Sequence, residues 1–530
     1  MRTLQVLALS FLLIGCGKTP PPPAPPPAPL PPTPVAGANK TPGPVNLTNP
    51  VDGATEPADP YEWGWLGVNF ADLTPESRNM PGLAEGGAVV KGIADDSPAK
   101  DLLLVGDIVV KADDQGIGSI LTFLTRVRGM KPGTEIRFSL MRDGNPAQAV
   151  VKVGSRKAKQ LLASSLSSAV NWLTQQQRPD GAWEYPHPSR IGGERTGKPH
   201  SAVTALVVAA LAGVPDDVKS ETAAAVEKGL AFLKARITAE GIVDSPLGEG
   251  IGYRSYTTAL TAIALARHRG PGDKEALDKL IAGLRKAQMA EGRDLAPLDW
   301  TYGSWNTYDG EIETTTRSDI SCASFVLQAF YEAGVPADDP SVQKALKFVK
   351  RCQNLPATGP PLPDVDDGGF AFNPRMGKAG FMQLNIQTSR NYSYGSTTAD
   401  GLRCLMYCTR QKDDPRVSAA FGWLSQNYTV DKNPGFSRNG KDPIVRFDKG
   451  IFFYYLHSLA AALDLVAPGE TILAQGNSRY WAVDIIGKIS SMQQKDGRWQ
   501  NLVNVMNEDD PNVSTALCLM TLDVLARHIK

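Results

Sequence analysis

The strongest constraint on the fold is a pattern that recurs six times in the C-terminal part of the chain. Each copy has an apolar helical segment, a loop with an acidic residue, a glycine and an aromatic residue, and a second helical segment that opens on small residues. The clearest loops are 175–183 (QQQRPDGAW), 366–370 (DDGGF), 433–436 (NPGF) and 493–499 (QQKDGRW). A period of roughly sixty residues that holds two helices indicates stacked helical hairpins. Six hairpins can close a ring, and we expect the function of this region in its central cavity.

This pattern predicts twelve principal helices over residues 158–530, that is, an all-α (α/α)6 toroid. We expect the outer helices at 165–176, 222–236, 274–288, 341–352, 416–427 and 480–493. We expect the inner helices to begin near His200, Tyr256, Ser318, Ser396, Gly450 and Val513. Because Ser or Thr stands at most of these starts, these residues are predicted to be the N-caps.

Length and charge limit the remaining possibilities. A chain of 530 residues exceeds one compact core, so at least two domains are expected. Lys and Arg (55 together) balance Asp and Glu (55 together), and no basic block stands out. Neither nucleic acid nor an anionic membrane surface is therefore an expected partner.

The first sixteen residues have the pattern of a targeting segment. Met1-Arg2 supplies one positive charge, and the apolar run from Leu4 to Ile14 is too short to span a bilayer. Its end, Gly15-Cys16, resembles the lipobox of bacterial lipoproteins. The resemblance implies a signal peptide at 1–16, a lipid anchor on Cys16, and a place in the bacterial cell envelope, at the outer membrane facing the periplasm. An ordinary secretory signal with a chance cysteine is the alternative.

A proline-rich linker is predicted at 17–60. Residues 20–34 are almost entirely Pro and Ala, which favours an extended polyproline conformation. At ~3.1 Å per residue this stretch reaches about 45 Å. We expect a passive spacer between the membrane anchor and the folded domains.

Between 61 and 155 the pattern changes to short strands, so a small β-rich domain is predicted. The segments GWLGV (64–68), DSPA (96–99), GDIVV (106–110) and RDG (142–144) follow one another, and their order resembles the PDZ domains of bacterial envelope proteases. The resemblance implies that a peptide or protein C-terminus adds as a strand to a sheet edge. The loop of Trp65, Leu66, Gly67 and Val68 would hold its carboxylate. A PDZ domain that only packs on the ring is the alternative.

The ring resembles the α/α toroids of squalene cyclases and of prenyltransferase β-subunits. Cyclases of this family carry an acidic motif followed by Thr-Ala, and Asp364, Asp366 and Asp367 are the corresponding catalytic candidates here. Gly368 and Gly369 follow them instead, which favours an acidic loop that forms and caps a turn.

A zinc site is a second possibility that the resemblance raises. Asp400 and His457 match two ligand positions of the prenyltransferases, which makes them catalytic candidates as well, but Leu402 stands where the thiolate should be. Cys404 lies one helical turn beyond Asp400, so Asp400, Cys404 and His457 form a shifted candidate metal site. A buried histidine and a core cysteine are the alternative, and no cofactor is expected.

Aromatic residues gather at the loops and inner-helix starts. Six are candidates to line the cavity and to bind an apolar chain or a glycan: Trp300, Tyr302, Trp305, Tyr392, Tyr394 and Tyr454. A glycan-cleaving site would draw on nearby carboxylates, namely Asp309, Glu311, Glu313 and Asp319. Aromatic residues that fill the ring as core are the alternative.

Two functions remain open from the sequence. The first is a membrane-anchored scaffold, in which the PDZ domain binds a peptide tail and the ring binds a ligand or protein. The second is an enzyme that uses the ring cavity, resembling terpenoid cyclases or prenyltransferases.

Overall fold

The computed structural model describes residues 61–73, 86–118, 120–185, 198–244, 253–306, 318–356, 362, 365–385, 389–437, 443–467, 471–503 and 505–529. The predicted signal peptide, the lipidation site Cys16 and the linker 17–60 lie outside these residues. Within them, no helix is both long enough and apolar enough to cross a membrane.

The N-terminal domain is a small β-sheet domain with one described helix. Its strands are β1 (Glu62–Trp65), β2 (Val68–Asp72), β3 (Ala88–Ile93), β4 (Ile108–Ala112), β5 (Gln115–Gly116), β6 (Glu135–Arg142), β7 (Asn145–Lys152) and β8 (Gly154–Lys157), and its helix is α1 (Ile120–Arg128). The sheet order is β2-β3-β4-β6-β7, with β5 on β4, while β1 pairs with β8. Phe123 of α1 packs edge-on against Phe70 and Phe138, which joins the helix to the sheet. The strand β2 is left at the edge of the sheet.

The C-terminal region consists of six helical hairpins. The outer helices are α2 (Ala158–Gln175), α4 (Lys219–Lys234), α6 (Asp273–Ala287), α8 (Pro340–Cys352), α10 (Pro415–Gln426) and α12 (Trp481–Met492). The inner helices are α3 (Ser201–Ala212), α5 (Arg254–His268), α7 (Ile320–Glu332), α9 (Gly395–Thr409), α11 (Phe452–Val466) and α13 (Pro511–Ala526). Each inner helix contacts the next, and α13 contacts α3. The ring of hairpins is therefore closed.

Two short β-hairpins are inserted between helices of the ring. Strands β9 (Phe381–Gln383) and β10 (Ser389–Asn391) precede α9, and strands β11 (Thr471–Ala474) and β12 (Asn477–Tyr480) lead into α12. Most predicted helix bounds agree with the structure to within three residues. The exception is α2, which begins seven residues before the predicted Ser165 because β8 continues directly into it.

A glutamine that follows an outer helix links neighbouring hairpins of the ring. The Nε2 group of Gln177 donates to the carbonyl oxygen of Gly181 in its own loop (3.0 Å) and to that of Ala225 in the next outer helix (2.8 Å). We call this arrangement the glutamine bridge. Gln288, Gln353 and Gln493 form the same two bonds in their repeats. Each bridge joins one hairpin to the next.

The sequence predicts that Ser and Thr residues are the N-caps of the inner helices. This prediction is wrong for α3, α7 and α13, where another side chain caps the helix. The capping acceptors of α3, α7 and α13 are His200, Asp319 and Asp510. The threonines lie within the helix and accept a hydrogen bond from the loop instead. The four such pairs are Trp183 N–Thr204, Val243 N–Thr258, Phe370 N–Thr398 and Trp499 N–Thr515, at 2.9–3.0 Å.

The middle of the ring is packed with side chains. Every residue of α9 from Gly395 to Cys408 is buried, and the neighbouring helices α7 and α11 are buried over most of their surface. Tyr256, Ser321 and Tyr454, near the starts of α5, α7 and α11, are partly exposed.

The two domains touch through the pair β1–β8 and the helix α1. Trp63 packs against the hydrophobic core of the ring, and the Tyr61 hydroxyl donates to the carbonyl oxygen of His528 (3.0 Å). Arg128, at the end of α1, forms an ion pair with the buried Asp484 of α12 (3.0 Å). These contacts fix the PDZ-like domain on the outside of the ring.

Candidate functional site

The predicted carboxylate-binding loop lies between β1 and β2, at the end of the free sheet edge. Gly67 has a φ of +70°, and a Cβ at this position would lie 2.7 Å from the Ser97 Cβ and from the Trp65 ring. Only glycine fits this backbone without strain. The loop thus brings its backbone close to the edge strand β2.

Hydrogen bonds hold this loop through its carbonyl groups. The Ser97 hydroxyl donates to the Leu66 carbonyl oxygen (2.7 Å), and the Ala94 N–H donates to that of Gly67 (2.8 Å). Among the described residues, the Leu66 and Gly67 N–H groups have no acceptor. Two donors are therefore available for the carboxylate of a ligand.

One residue at this loop was missed by the sequence reasoning. The Arg156 guanidinium on β8 lies 3.6 Å from the centre of the Trp65 ring and forms an ion pair with Asp96 (3.0 Å). Its positive charge lies beside the loop and would attract a carboxylate. The sequence offers no local signal for this contact, because Arg156 lies just beyond the predicted end of the β-rich domain at residue 155.

A second polar site surrounds Asp400 inside the ring. Its carboxylate accepts hydrogen bonds from the hydroxyls of Tyr454 (2.7 Å) and Ser458 (2.8 Å), and from Arg403 (3.2 Å). Burial raises the pKa of Asp400 to about 6, although Arg403, Tyr454 and Ser458 each act to lower it. Asp400 and Arg403 are both completely shielded from solvent.

This site continues as a chain of polar side chains across the inner helices α9, α7 and α5. Arg403 donates to the Gln328 side-chain oxygen (2.6 Å), and Gln328 donates to Glu332 (2.8 Å). Glu332 forms two hydrogen bonds with Arg267 (2.7 and 2.8 Å). The chain neutralises its charges in pairs, as buried ions require. Its members come from three inner helices, so sequence spacing alone could not connect them.

The structure does not assemble the candidate zinc site. Both ring nitrogens of His457 are buried without a hydrogen-bond partner, and its ring stacks on Phe325 (6.3 Å between centroids). Burial, followed by the charges of Arg403 and Arg267, lowers the pKa of His457 well below its usual value. The Cys404 thiol is directed at the carbonyl oxygen of Ile320 (3.9 Å). In the described part of the chain, no three His, Cys, Asp or Glu side chains are grouped to bind a metal.

The acidic loop of the fourth repeat has a local structural role. Asp366 forms an ion pair with Arg390 (2.6 Å). Asp367 accepts hydrogen bonds from the Ser393 hydroxyl (2.6 Å) and the Trp423 indole N–H (2.9 Å). Asp364 lies outside the described residues. The described carboxylates therefore stabilise the turn, as the two following glycines suggested.

Of the six candidate cavity aromatics, only Tyr454 reaches the Asp400 site. The Trp305 indole donates to the Leu284 carbonyl oxygen within its repeat (2.7 Å), and the Tyr302 hydroxyl donates to Glu291. Tyr394 and Tyr392 belong to a separate small cluster with Phe436. The Cζ atom of Arg375 lies 5.3 Å from the centre of the Trp300 ring.

The candidate glycan-cleaving carboxylates are not assembled by the described residues. Asp309, Glu311 and Glu313 lie outside them. Asp319 caps α7 by accepting the Cys322 N–H (2.8 Å), and the Tyr256 hydroxyl lies 3.4 Å away.

Comparisons with known proteins agree with this two-part architecture. Residues 64–153 match the family described as a PDZ domain, and residues 150–295 match the one described as an A-macroglobulin TED domain. The N-terminal domain is thus a PDZ domain. It is followed by a helical toroid.

The curated relatives match a short part of the chain. Proteins described as probable periplasmic serine endoprotease DegP-like are 32% identical over 97 residues in Pseudomonas fulva (strain 12-X) and 31% identical over 94 residues in Ectopseudomonas mendocina (strain ymp). The matches cover 18% and 17% of this chain and 20% of each relative. The chain thus spans about a fifth of the length of these relatives.

Solved structures resemble each part separately. The HtrA-type protease AlgW with a decapeptide is 31% identical over 18% of this chain and 30% of that chain, with a TM-score of 0.16. The type II terpene cyclase MstE from Scytonema is 16% identical over 71% of this chain and 100% of that chain, with a TM-score of 0.43.

Proposed function

We propose that this protein binds the C-terminus of a peptide or protein through its PDZ domain, with the ring as the rigid scaffold that carries the domain. The observation that carries the proposal is the outer edge of β2, which pairs with no other described strand, lies beside α1 and ends at a loop with two N–H groups that have no acceptor among the described residues. A peptide added to this edge would pair with the β2 backbone. Its C-terminal carboxylate would accept hydrogen bonds from the Leu66 and Gly67 N–H groups.

The packing of the ring supports a scaffold rather than a catalytic chamber. Asp400 is paired with Arg403, and His457 stacks on Phe325 without a polar contact. A catalytic acid and base need to reach a substrate, whereas the Asp400 carboxylate is fully shielded from solvent and the His457 ring is buried. The contacts of Trp63 and Arg128 with the ring hold the PDZ domain in one orientation.

The proposal includes a lipid anchor on Cys16 in the bacterial envelope. The anchor and the linker 17–60 would place the peptide site tens of ångströms from the membrane surface, on the order of 45 Å for the proline-rich part alone. Labelling with an alkyne fatty acid tests this part. We expect label on the wild-type chain and none on Cys16→Ser.

A peptide-display selection tests the binding function itself. The mature chain is screened against random peptides displayed with a free C-terminus, and the affinities of the selected sequences are measured by fluorescence anisotropy. We expect Gly67→Val to lose at least about tenfold in affinity, because the side chain overlaps Ser97 and Trp65.

Gly92→Val on the adjacent strand β3 is the matched control. A Cβ at Gly92 meets only the Asn69 Cβ, at 3.9 Å, so this variant should bind as the wild type does. Selection of no peptide, or equal binding by Gly67→Val in a folded state shown by circular dichroism, would contradict the proposal.

A further inference from the structure

Two acidic residues stand next to the loop that would hold the peptide carboxylate. Asp95 and Asp96 come directly after Ala94 in the chain, and the Ala94 N–H donates to the Gly67 carbonyl oxygen of this loop (2.8 Å). Without a partner, the two negative charges would repel a ligand that ends in a carboxylate. Binding of such a ligand therefore benefits from cations that neutralise both side chains.

The two cations come from different parts of the chain. Arg156 of the PDZ domain forms an ion pair with Asp96 (3.0 Å). Lys495 forms an ion pair with Asp95 (2.7 Å), although the two residues are 400 positions apart. Lys100 is also near, but it donates to the Asp95 backbone carbonyl oxygen (3.2 Å) and not to the carboxylate. Lys495 lies in the loop after α12, so the ring supplies the second cation.

The loop that carries Lys495 is held firmly within the ring. On one side of it, Gln493 forms the glutamine bridge to the Ser165 carbonyl oxygen of α2 (3.1 Å). On the other side, the buried Trp499 indole donates to the Ile489 carbonyl oxygen of α12 (2.8 Å). The ring thus presents the Lys495 ammonium group beside the PDZ domain from a fixed backbone.

The same hairpin of the ring also holds the helix that flanks the peptide-binding edge. Arg128 ends α1 and pairs with Asp484 of α12 (3.0 Å), while α1 itself lies against β2. The last hairpin of the ring therefore contacts the PDZ domain at the end of α1 and at Asp95, just beyond β3.

We propose that the last hairpin of the ring is part of the peptide site, and that Lys495 favours a free C-terminal carboxylate by neutralising Asp95. This inference rests on the proposed peptide binding, and it gives the ring a role beyond carrying the domain. Lys495 acts through Asp95 and is a positioning residue that does not itself hold the peptide. Its side chain is 91% exposed and that of Asp95 is 76% exposed. So exposed a pair adds little to stability, and its effect belongs to peptide affinity.

Fluorescence anisotropy with the mature chain and one selected peptide tests the proposal. Lys495→Ala should weaken binding of the free-acid peptide roughly two- to fivefold, because Asp95 is then left without its partner. Binding of the same peptide with an amidated C-terminus should not change. At about 1 M salt, where the Debye length is about 3 Å, the loss should largely disappear. Asp95→Asn in the Lys495→Ala background should restore the wild-type affinity.

Lys274→Ala is the matched control. Lys274 forms an exposed ion pair with Asp278 on α6, in another hairpin of the ring (2.6 Å). Its removal should leave the affinity for both peptides unchanged. Urea denaturation should give the same midpoint for the wild type and for both lysine variants, which separates an effect on binding from an effect on folding.

The outcomes distinguish this inference from the proposed function. If the wild-type chain binds the peptide and Lys495→Ala binds it equally well, the inference is overturned and the proposed function stands. Equal weakening for the free-acid and amidated peptides would also overturn the inference, since the effect would then not depend on the carboxylate. A wild-type chain that binds no peptide would contradict the proposed function, and this inference with it.

Discussion

The Gln493 side chain donates a hydrogen bond to the backbone carbonyl oxygen of Ser165, 328 positions earlier in the chain, at 3.1 Å. Its second bond, to Gly497 (2.8 Å), belongs to its own loop. The same glutamine bridge joins consecutive hairpins elsewhere in the ring, but here it joins the last hairpin to the first. Ring closure thus uses the contact that builds the repeat.

Removal of this bridge should destabilise the ring. Gln493→Ala leaves the two carbonyl oxygens without their donor, so we expect a loss of about 1–3 kcal/mol in the free energy of unfolding. Urea denaturation followed by circular dichroism measures it. The neighbouring Gln494 has an exposed side chain, and Gln494→Ala should stay within about 0.5 kcal/mol of wild type. Equal effects of the two variants would mean that the bridge is not important for closure.

The buried pair of Asp400 and Arg403 should be costly to break from one side. Asp400→Ala leaves the Arg403 guanidinium buried without its carboxylate, so we expect a loss of about 3–5 kcal/mol. Asp400→Leu combined with Arg403→Met should cost less than Asp400→Ala, because no unpaired charge remains. Urea denaturation of the three proteins provides the comparison. A double variant that is less stable than the single variant would argue against the pairing.

Glu508 should make the stability depend on pH. Burial raises its pKa to about 7, although it accepts the N–H groups of Tyr454, Phe453 and Phe452 at the start of α11. The pKa in the unfolded chain is about 4.3, so the folded state binds this proton more tightly. The contribution of Glu508 to stability should therefore be fully present below pH about 4 and should be lost as the pH rises to about 7.

Glu508→Gln should flatten this dependence by about 2–3 kcal/mol. The amide oxygen can still accept the backbone N–H groups, but it does not titrate. Unfolding free energies measured between pH 5 and 8, in EDTA, give the slope for each protein. Asp400 and Asp510 contribute in the same direction, since burial also raises their pKa values. An unchanged slope in Glu508→Gln would contradict the assignment.

The link between the domains should depend on Arg128. Arg128→Ala removes its ion pair with Asp484, which keeps its bonds to Arg479 (2.6 and 2.9 Å). We expect only about 0.5–1 kcal/mol of lost stability, but a more mobile PDZ domain. Small-angle X-ray scattering should show a larger radius of gyration than for the wild type. An unchanged scattering profile would mean that Trp63 and the β1–β8 pair are sufficient to hold the domain.

Much of the fold could be predicted from the sequence because hydrophobic periodicity and loop chemistry are local. The repeated acidic-glycine-aromatic loops and the apolar segments predicted the twelve helices of the ring, whereas the PDZ domain was expected from the resemblance of the ordered strand segments to known PDZ domains. Thr204 and its counterparts were predicted to cap their helices, but they accept a hydrogen bond from a loop N–H group instead. Both roles favour Ser or Thr near a helix start, so the sequence does not distinguish them.

The candidate sites were harder to predict because they depend on distant contacts. Arg156 reaches the Trp65 ring only after β8 has paired with β1. The resemblance to prenyltransferases made Asp400 a candidate metal ligand, yet its partners Tyr454 and Ser458 lie on α11. The stacking of His457 on Phe325 depends on how α11 and α7 are rotated in the ring, and this is set by packing around the whole circle.

The most direct test of the central claim compares one selected peptide with a free carboxylate and with an amidated C-terminus. Fluorescence anisotropy with the mature chain gives both affinities. Binding at the Leu66–Gly67 loop predicts that the free acid binds at least about tenfold more tightly, because the two N–H donors and Arg156 favour a negative charge. Equal affinity of the two forms would show that the loop does not hold the C-terminus and would contradict this account.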